Sequence, residues 1–130
     1  MNTDKNKNGS IKLAVPSAAP GGLEADRSGH FGRCECFTVV DCADRSIKNV
    51  AVVTNLPHSE GGCLAPVNLL QSHGVNAIAV SGIGMRPLMG FQSAGIEVLI
   101  GTGDKVQDTV DAYLKSGLDP IAEEDTCGCH

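Results

Sequence analysis

A chain of 130 residues, 42% of them hydrophobic, suits one domain with a real core. Three Phe, one Tyr and no Trp make that core aliphatic, and a formal charge of −5 argues against nucleic acid as a partner, because phosphate binding needs clustered Lys and Arg. No apolar run reaches the roughly 20 residues of a membrane span, and the polar opening lacks the apolar segment of a secretory signal, so the expected location is a reducing cytoplasm.

Residues 1–10 read as a disordered lead-in, residues 11–117 as the folded domain and residues 118–130 as a tail. Ile11 to Val15 is a short apolar strand stopped by Pro16. Residues 16–33 form a long loop rich in Gly, Pro and Ser, of the kind that carries function when it occurs inside a compact domain. Residues 36–41 and 46–54 read as two strands of a hairpin, linked by Cys42-Ala43-Asp44-Arg45. Residues 63–73 fit a helix with Val67 and Leu70 on one face and Gly74 as its stop. Asn76 to Val80 is a buried-type strand. Pro87 suits the first turn of the next helix, which carries Leu88, Phe91 and Ala94 and ends at Gly95, with Met85 and Met89 read as core filling. Glu97 to Ile100 is the last strand. Asp104, helped by Gln107, is expected to cap a final helix whose apolar face is Val106, Val110, Tyr113 and Leu114, ending at Gly117.

The order is therefore β-β-β-α-β-α-β-α. A hairpin gives antiparallel strands, and the later strand-helix-strand units give parallel ones with right-handed crossovers. The product is an α/β mixed five-stranded sheet with helices over its faces. If the first three strands pair in sequence and the last two run parallel to the first, one edge collects His30, Arg33, Cys34, His58, Gly61, Gly62, Cys63 and the loop Ser81 to Gly84. Ligands of such sheets favour the carboxyl ends of the parallel strands. Cys42 falls at the opposite edge, as a hairpin residue.

The six cysteines are grouped. Cys34 and Cys36 form one C-x-C pair, and Cys127 and Cys129, followed by His130, form another; Cys63 closes a glycine-rich turn that begins at His58. In a reducing compartment such sulfur serves as metal ligand or reactive thiol rather than as structural disulfide. Strand alternation would place the Cys34 and Cys36 side chains on one sheet face, where two sulfurs can share a metal or a cluster edge. Cys63 would sit at a helix start, whose dipole favours the thiolate form that binds metal. Gly61 and Gly62 let the backbone approach a bulky guest. His30 and His58 offer imidazole or hydrogen bonds, and Arg33 offers a charge to balance an anionic cluster.

The run His30-Phe31-Gly32-Arg33-Cys34-Glu35-Cys36-Phe37 leads into Val39-Val40-Asp41. The His58, Gly61 and Gly62 turn, the strand and loop Ala79 to Gly84, Ala94 to Val98, and Val106 followed by Ala112 to Gly117 accompany it. With these features the chain resembles the dinitrogenase iron-molybdenum cofactor biosynthesis family, the NifX/NafY-type domain. The resemblance implies a ribonuclease H-like fold and binding of iron-molybdenum cofactor, its precursors, or a related molybdenum-copper or iron-sulfur cluster. Cys63 and the Cys127-Gly128-Cys129-His130 tail depart from the family pattern and add ligands.

Catalytic signatures are absent. There is no P-loop, H-E-x-x-H or G-x-S-x-G; Gly82-Ile83-Gly84 lacks the third glycine of a dinucleotide fingerprint, since residue 87 is proline; Asp41 stands alone on its strand. The expectation is a carrier for a metal-sulfur cluster, not an enzyme, with metal ligands Cys34, Cys36, Cys63, Cys127, Cys129 and His130 and with cofactor contacts from His30, Arg33, His58, Gly61 and Gly62. Its expected partners are cluster-assembly or recipient metalloproteins, and its state a monomer or weak dimer. A small zinc-binding interaction module and a thiol-redox protein are the alternatives; C-x-C spacing fits the first less well than C-x-x-C would, and the second needs a thiol of strongly lowered pKa with a resolving partner.

Overall fold

The computed structural model of the protein describes residues 10–28, 34–43, 45–54, 65–81, 83 and 85–121. Strands β1 (Ser10–Ser17), β2 (Cys36–Ala43) and β3 (Ser46–Thr54) are followed by α1 (Ala65–Ser72), β4 (Ala77–Val80), α2 (Met85–Ala94), β5 (Glu97–Ile100) and α3 (Val106–Ser116). They form one five-stranded sheet in the order β3-β2-β1-β4-β5. β1 pairs antiparallel with β2 and parallel with β4, β2 pairs antiparallel with β3, and β4 pairs parallel with β5. The mixed α/β sheet expected from the sequence is thus observed, as is the collection of the ends of β1, β3, β4 and β5 and the start of β2 at one rim.

Strand alternation sorts the core into two layers. Ala14, Phe37, Val39, Ile78 and Val98 face α1 and α2, meeting Val67, Leu70, Leu88 and Phe91. Leu13, Val15, Val40, Cys42, Ala77, Ala79 and Leu99 face α3, meeting Val106 and Val110. β4 is buried on both faces, as parallel strands under two helix layers must be. Gly74 and Gly95 stop α1 and α2 in left-handed conformations, φ 76° and 80°. The N–H that follows each glycine returns to the helix, Val75 to the Leu70 carbonyl and Ile96 to that of Phe91.

Four local expectations change. β1 continues through Pro16, which is register partner to Phe37. The Pro16 carbonyl accepts from the Ser28 N–H, so its missing donor falls on the side away from β2 and leaves that ladder intact. Cys42 and Ala43 belong to β2 rather than to the hairpin link, because burial against α3 holds Cys42 in the strand; Arg45, just before β3, takes φ 63°. The cap of α3 is Lys105, not Asp104: the Asp108 carboxylate accepts from the N–H groups of both Asp104 and Lys105, a pull from the first turn that sets the start one residue later. Met89 is exposed, since the buried stripe of α2 runs through Leu88 and Phe91, a helical turn of spacing that leaves residue 89 outside.

Residues 119–121, read from the sequence as part of a tail, lie along β5. Ile100 N–H donates to the Asp119 carbonyl and Ile121 N–H to the Val98 carbonyl, with Ile121 buried in the α1 and α2 layer.

Phe37 and Phe91 are the largest fully buried side chains among the described residues. Phe37→Ala should lower unfolding free energy by about 3–5 kcal/mol in urea titration, through lost transfer and the cavity left behind.

Candidate functional site

The rim is built around the last residue of β1. Ser17 has Cys36 as its register partner on one side, and Cys36 in turn has Thr54. On the other side Ser17 is bridged to Arg27, and the neighbouring Asp26 is bridged to Lys105. The segment 26–28 is therefore stitched between the end of β1 and the β5–α3 loop: Ala18 N–H donates to Asp26 O, Ser28 N–H to Pro16 O and Arg27 N–H to Asp104 O.

Polar groups under this rim are satisfied within the chain. The buried Ser17 hydroxyl donates to Val15 O at 2.7 Å. Its single proton is thereby used, so in the 2.9 Å contact between Ser17 Oγ and Thr38 Oγ1 the Thr38 hydroxyl is the donor. Thr38 Oγ1 also accepts from Gly22 N–H at 2.9 Å, which folds the loop after β1 back over β2. Gly21, at φ 81°, lies so close to Cys36 that an added Cβ would come within 3.0 Å of its Sγ.

Cys34 and Cys36 are both buried. The expected placement on one strand face does not apply, because β2 begins at Cys36 and Cys34 precedes it. Cys34 packs with Ala14, Phe37 and Val39 in the α1 and α2 layer. Cys36 lies one step from Phe37, on the Thr38 side, and directs Sγ to Ser17 O and Ala18 O at 3.8 and 3.7 Å. Burial pushes the Cys34 thiol up to about 12, against hydrogen bonds from the Ser17 and Cys34 backbone that favour the thiolate. Cys36 is also raised, by burial first and by the Glu35 charge second. Both sulfurs are thiols held in their protonated form, yet both address the end of β1.

Arg27 is the functional candidate that sequence reasoning missed. Its Nη1 donates to Gly103 O at 2.7 Å and its Nη2 to Ser81 Oγ at 2.8 Å, tying the loops that follow β5 and β4. Its Nε is buried without a hydrogen-bond partner among the described residues. Burial lowers the Arg27 pKa, while Asp104 and Asp108 oppose that shift. Gly101 lies beneath it, and a Cβ there would meet Nη2 and force the guanidinium to shift off its present bonds. The β5–α3 loop is closed from the other side by Thr109, whose hydroxyl bonds both the N–H and the carbonyl of Thr102. The signal in the sequence was the unusual length of loop 16–33, but nothing in it singled out Arg27 over its neighbours. The adjacent Lys105–Asp26 ion pair, at 2.7 Å, is solvent-exposed and adds little stability.

Of the other residues singled out from the sequence, His30, Arg33, His58, Gly61, Gly62, Cys63, Cys127, Cys129 and His130 lie outside the described residues. Among the described residues no group of three or more His, Cys, Asp or Glu is placed to hold a metal ion. Cys42 sits at the opposite edge, where a shallow cleft of about 410 Å³ is lined by Cys42, Arg45, Tyr113 and Lys115 among others. Burial, then the Asp41 charge, raises Cys42 to about 11. No helix among the described residues is long and apolar enough to cross a membrane.

A model of the dinitrogenase iron-molybdenum cofactor family matches residues 12–116. The chain belongs to that family. The protein MJ0580 of Methanocaldococcus jannaschii is 31% identical to it over 112 residues, covering 84% of this chain and 90% of that protein. Among solved structures, PH0822 superposes with a TM-score of 0.73 at 30% identity, over 85% of this chain and 96% of that one. The apo form of the orange protein from Desulfovibrio gigas superposes with a TM-score of 0.71 at 26% identity, over 85% of this chain and 92% of that one. The family is one of iron-molybdenum cofactor biosynthesis or binding, and its match spans the whole rim described above, from β1 to the end of α3.

Two outcomes follow. Arg27→Ala should loosen residues 101–105 in amide hydrogen exchange and cost about 1–3 kcal/mol of stability, the scale of hydrogen bonds to a charged group. Arg27→Lys should recover only part of this, since an ammonium cannot span Gly103 O and Ser81 Oγ as a planar fork does. Second, Cys34 and Cys42 have folded-state pKa values of about 12 and 11 against an ordinary 9.0. Between these values the folded chain binds more protons than the unfolded one, so the thiols' contribution is complete below pH 9.0 and falls as pH rises toward 11 and 12. Urea midpoints should decline from pH 9 upward, and less steeply in Cys34→Ala/Cys42→Ala.

Proposed function

We propose that this protein binds and carries a metal-sulfur cluster related to the iron-molybdenum cofactor, in cluster assembly or transfer, and that it is a carrier rather than a catalyst. The observation that carries the reading is the position of Cys34 and Cys36. In a chain of this family, two buried thiols flank the end of β1 at the rim where the parallel strands finish. Such a rim is where sheets of this kind take their ligands.

The donor chemistry suits this cargo. Thiols select soft metals and iron-sulfur or molybdenum-copper clusters over hard cations. The buried sulfurs stay protonated without cargo, so each coordination step releases a proton and weakens as pH falls. This suits a cargo that must be given up as well as held. Two sulfurs do not complete a coordination shell, and the remaining ligands in this proposal are Cys63, with His30 and His58 as imidazole or hydrogen-bond donors and Arg33 and the Gly61-Gly62 backbone balancing cluster charge. Cys127, Cys129 and His130 would act as a clamp or transfer arm. Arg27 would hold the rim loops in place beneath the cargo. The sheet order, with its antiparallel hairpin added to a parallel β1-β4-β5 unit, supports the ribonuclease H-like assignment. The expected setting is the cytoplasm, with cluster-assembly or recipient metalloproteins as partners.

Anaerobic purification and loading with iron, molybdenum or copper in the presence of sulfide tests the reading. Charge-transfer absorbance with bound metal is expected. Colourless protein carrying one zinc indicates an interaction module instead, and metal-free protein whose thiols cycle reversibly indicates a redox protein. Cys34→Ser and Cys36→Ser should each reduce metal bound per chain, and the double variant should lose most of it while keeping its far-ultraviolet circular dichroism. Uptake should rise with pH between 6 and 9 and release protons measurable by calorimetry in buffers of different ionisation enthalpy. Unchanged uptake in the double variant removes these sulfurs from the site.

A further inference from the structure

The two edges of the sheet are treated differently. β5, at one edge, is followed outward by residues 119–121, which take its free hydrogen-bonding groups through Ile100 N–H to Asp119 O and Ile121 N–H to Val98 O. Pro120 then stands where a further strand would need a donor, and it closes that edge to extension. β3, at the other edge, has no such cover among the described residues. It is also the longest strand, nine residues against four in β5.

An open row of backbone N–H and C=O groups is a template for another strand, and proteins usually blunt it with charge, proline or brevity. β3 uses these sparingly. Its sequence SIKNVAVVT has no proline and one charged residue, Lys48. From Asn49 to Thr54 it is uncharged, and Val50, Ala51, Val52 and Val53 follow one another. Ala51 and Val52 are exposed, on opposite faces, and Val52 is 45% accessible. The helix layers pack chiefly elsewhere, α3 over β1 and β2 and α2 over β5.

We propose that β3 is a self-association edge: two copies of this chain pair their β3 strands antiparallel about a twofold axis near Ala51, giving one continuous ten-stranded sheet. The occupant is a second copy because the strand is complementary to itself. Antiparallel pairing satisfies a twofold automatically. Registers centred on Val50, Ala51 or Val52 put Lys48 opposite Val52, opposite Thr54 or beyond the strand end, so none of these three sets the two lysines against each other. With the axis at Ala51, Val50 meets Val52 on one face and Ala51 meets Ala51 on the other, while Val53 meets Asn49. Because the strands run in opposite directions, the two carboxyl rims lie at opposite ends of the dimer, and each stays open to its own cargo. The association is thus independent of the cluster reading and compatible with it.

Sedimentation velocity and light scattering across 5 µM to 1 mM test this. The expected result is a concentration-dependent rise from 13.4 kDa toward twice that mass, accompanied by slowed amide exchange confined to residues 46–54. Ala51→Lys places like charges near the axis and should weaken dimerisation by about tenfold, the size of ~1.4 kcal/mol, with circular dichroism unchanged. Mixing Ala51→Lys with Ala51→Glu should restore it. A chain that stays monomeric at 1 mM overturns the proposal. So does a dimer whose 46–54 amides exchange as fast as in the monomer. Amides protected equally at every concentration place a segment of the same chain on the edge and overturn it as well. Metal bound per chain should be the same in Ala51→Lys as in the parent, which separates failure here from failure of the proposed cluster binding.

Discussion

β1 has antiparallel β2 on one side and parallel β4 on the other, and the geometry of the rim depends on that double pairing. Parallel partners share their carboxyl ends, and an antiparallel partner contributes its start. The Ser17 position therefore draws together the start of β2, with both C-x-C sulfurs, and the loops that leave β4 and β5. A one-residue slip in the β1–β2 register would turn each side chain of β2 toward the other core layer, so that Phe37 and Val39 met α3 and Val40 and Cys42 met α1 and α2. It would also carry Cys36 away from Ser17. The alternation of the two core layers, with Phe37 and Val39 on one side and Val40 and Cys42 on the other, holds that register.

The polar arrangement at the rim follows from the same constraint. A strand end that meets three loops leaves backbone groups to be satisfied, and the chain does this with its own small side chains. Ser17, Thr38 and Gly22 close one chain of hydrogen bonds, and Arg27 closes another through Gly103 and Ser81. The result is a firm base with low polarity around the sulfurs. Desolvation, more than any nearby charge, holds the thiols neutral. A neutral thiol in a dry setting is a poor free nucleophile but a usable soft ligand once a metal displaces its proton. This fits a binding role better than thiol-redox chemistry, which needs the opposite shift.

Much of the fold was legible along the chain, and particular residues show why. β3 and β5 were read with their observed ends, because the apolar runs Val50 to Val53 and Val98 to Ile100 anchor them. The helix stops at Gly74 and Gly95 were readable because glycine adopts left-handed backbone without the steric cost that a side chain adds. The misreadings at Pro16 and Cys42 share one cause, a local preference overruled by a contact made elsewhere, and the one at α3 is a local capping contact. Pro16 stays in β1 because its missing donor faces the 26–28 segment. Cys42 stays in β2 because α3 buries it. Asp108 reaches back three residues and shifts the start of α3 to Lys105.

The sequence by itself determined the element order, the aliphatic core and the grouping of sulfur near His30 to Cys36, because periodicity, glycine stops and cysteine spacing are local properties of the chain. Only the tertiary structure decided that Cys34 and Cys36 flank one residue from different sides, that Arg27 ties three segments together, and that among the described residues one sheet edge is covered while the other is not. Those facts depend on register and on which loop lies over which strand. Both are fixed by burial between residues far apart in the chain, which no local pattern encodes.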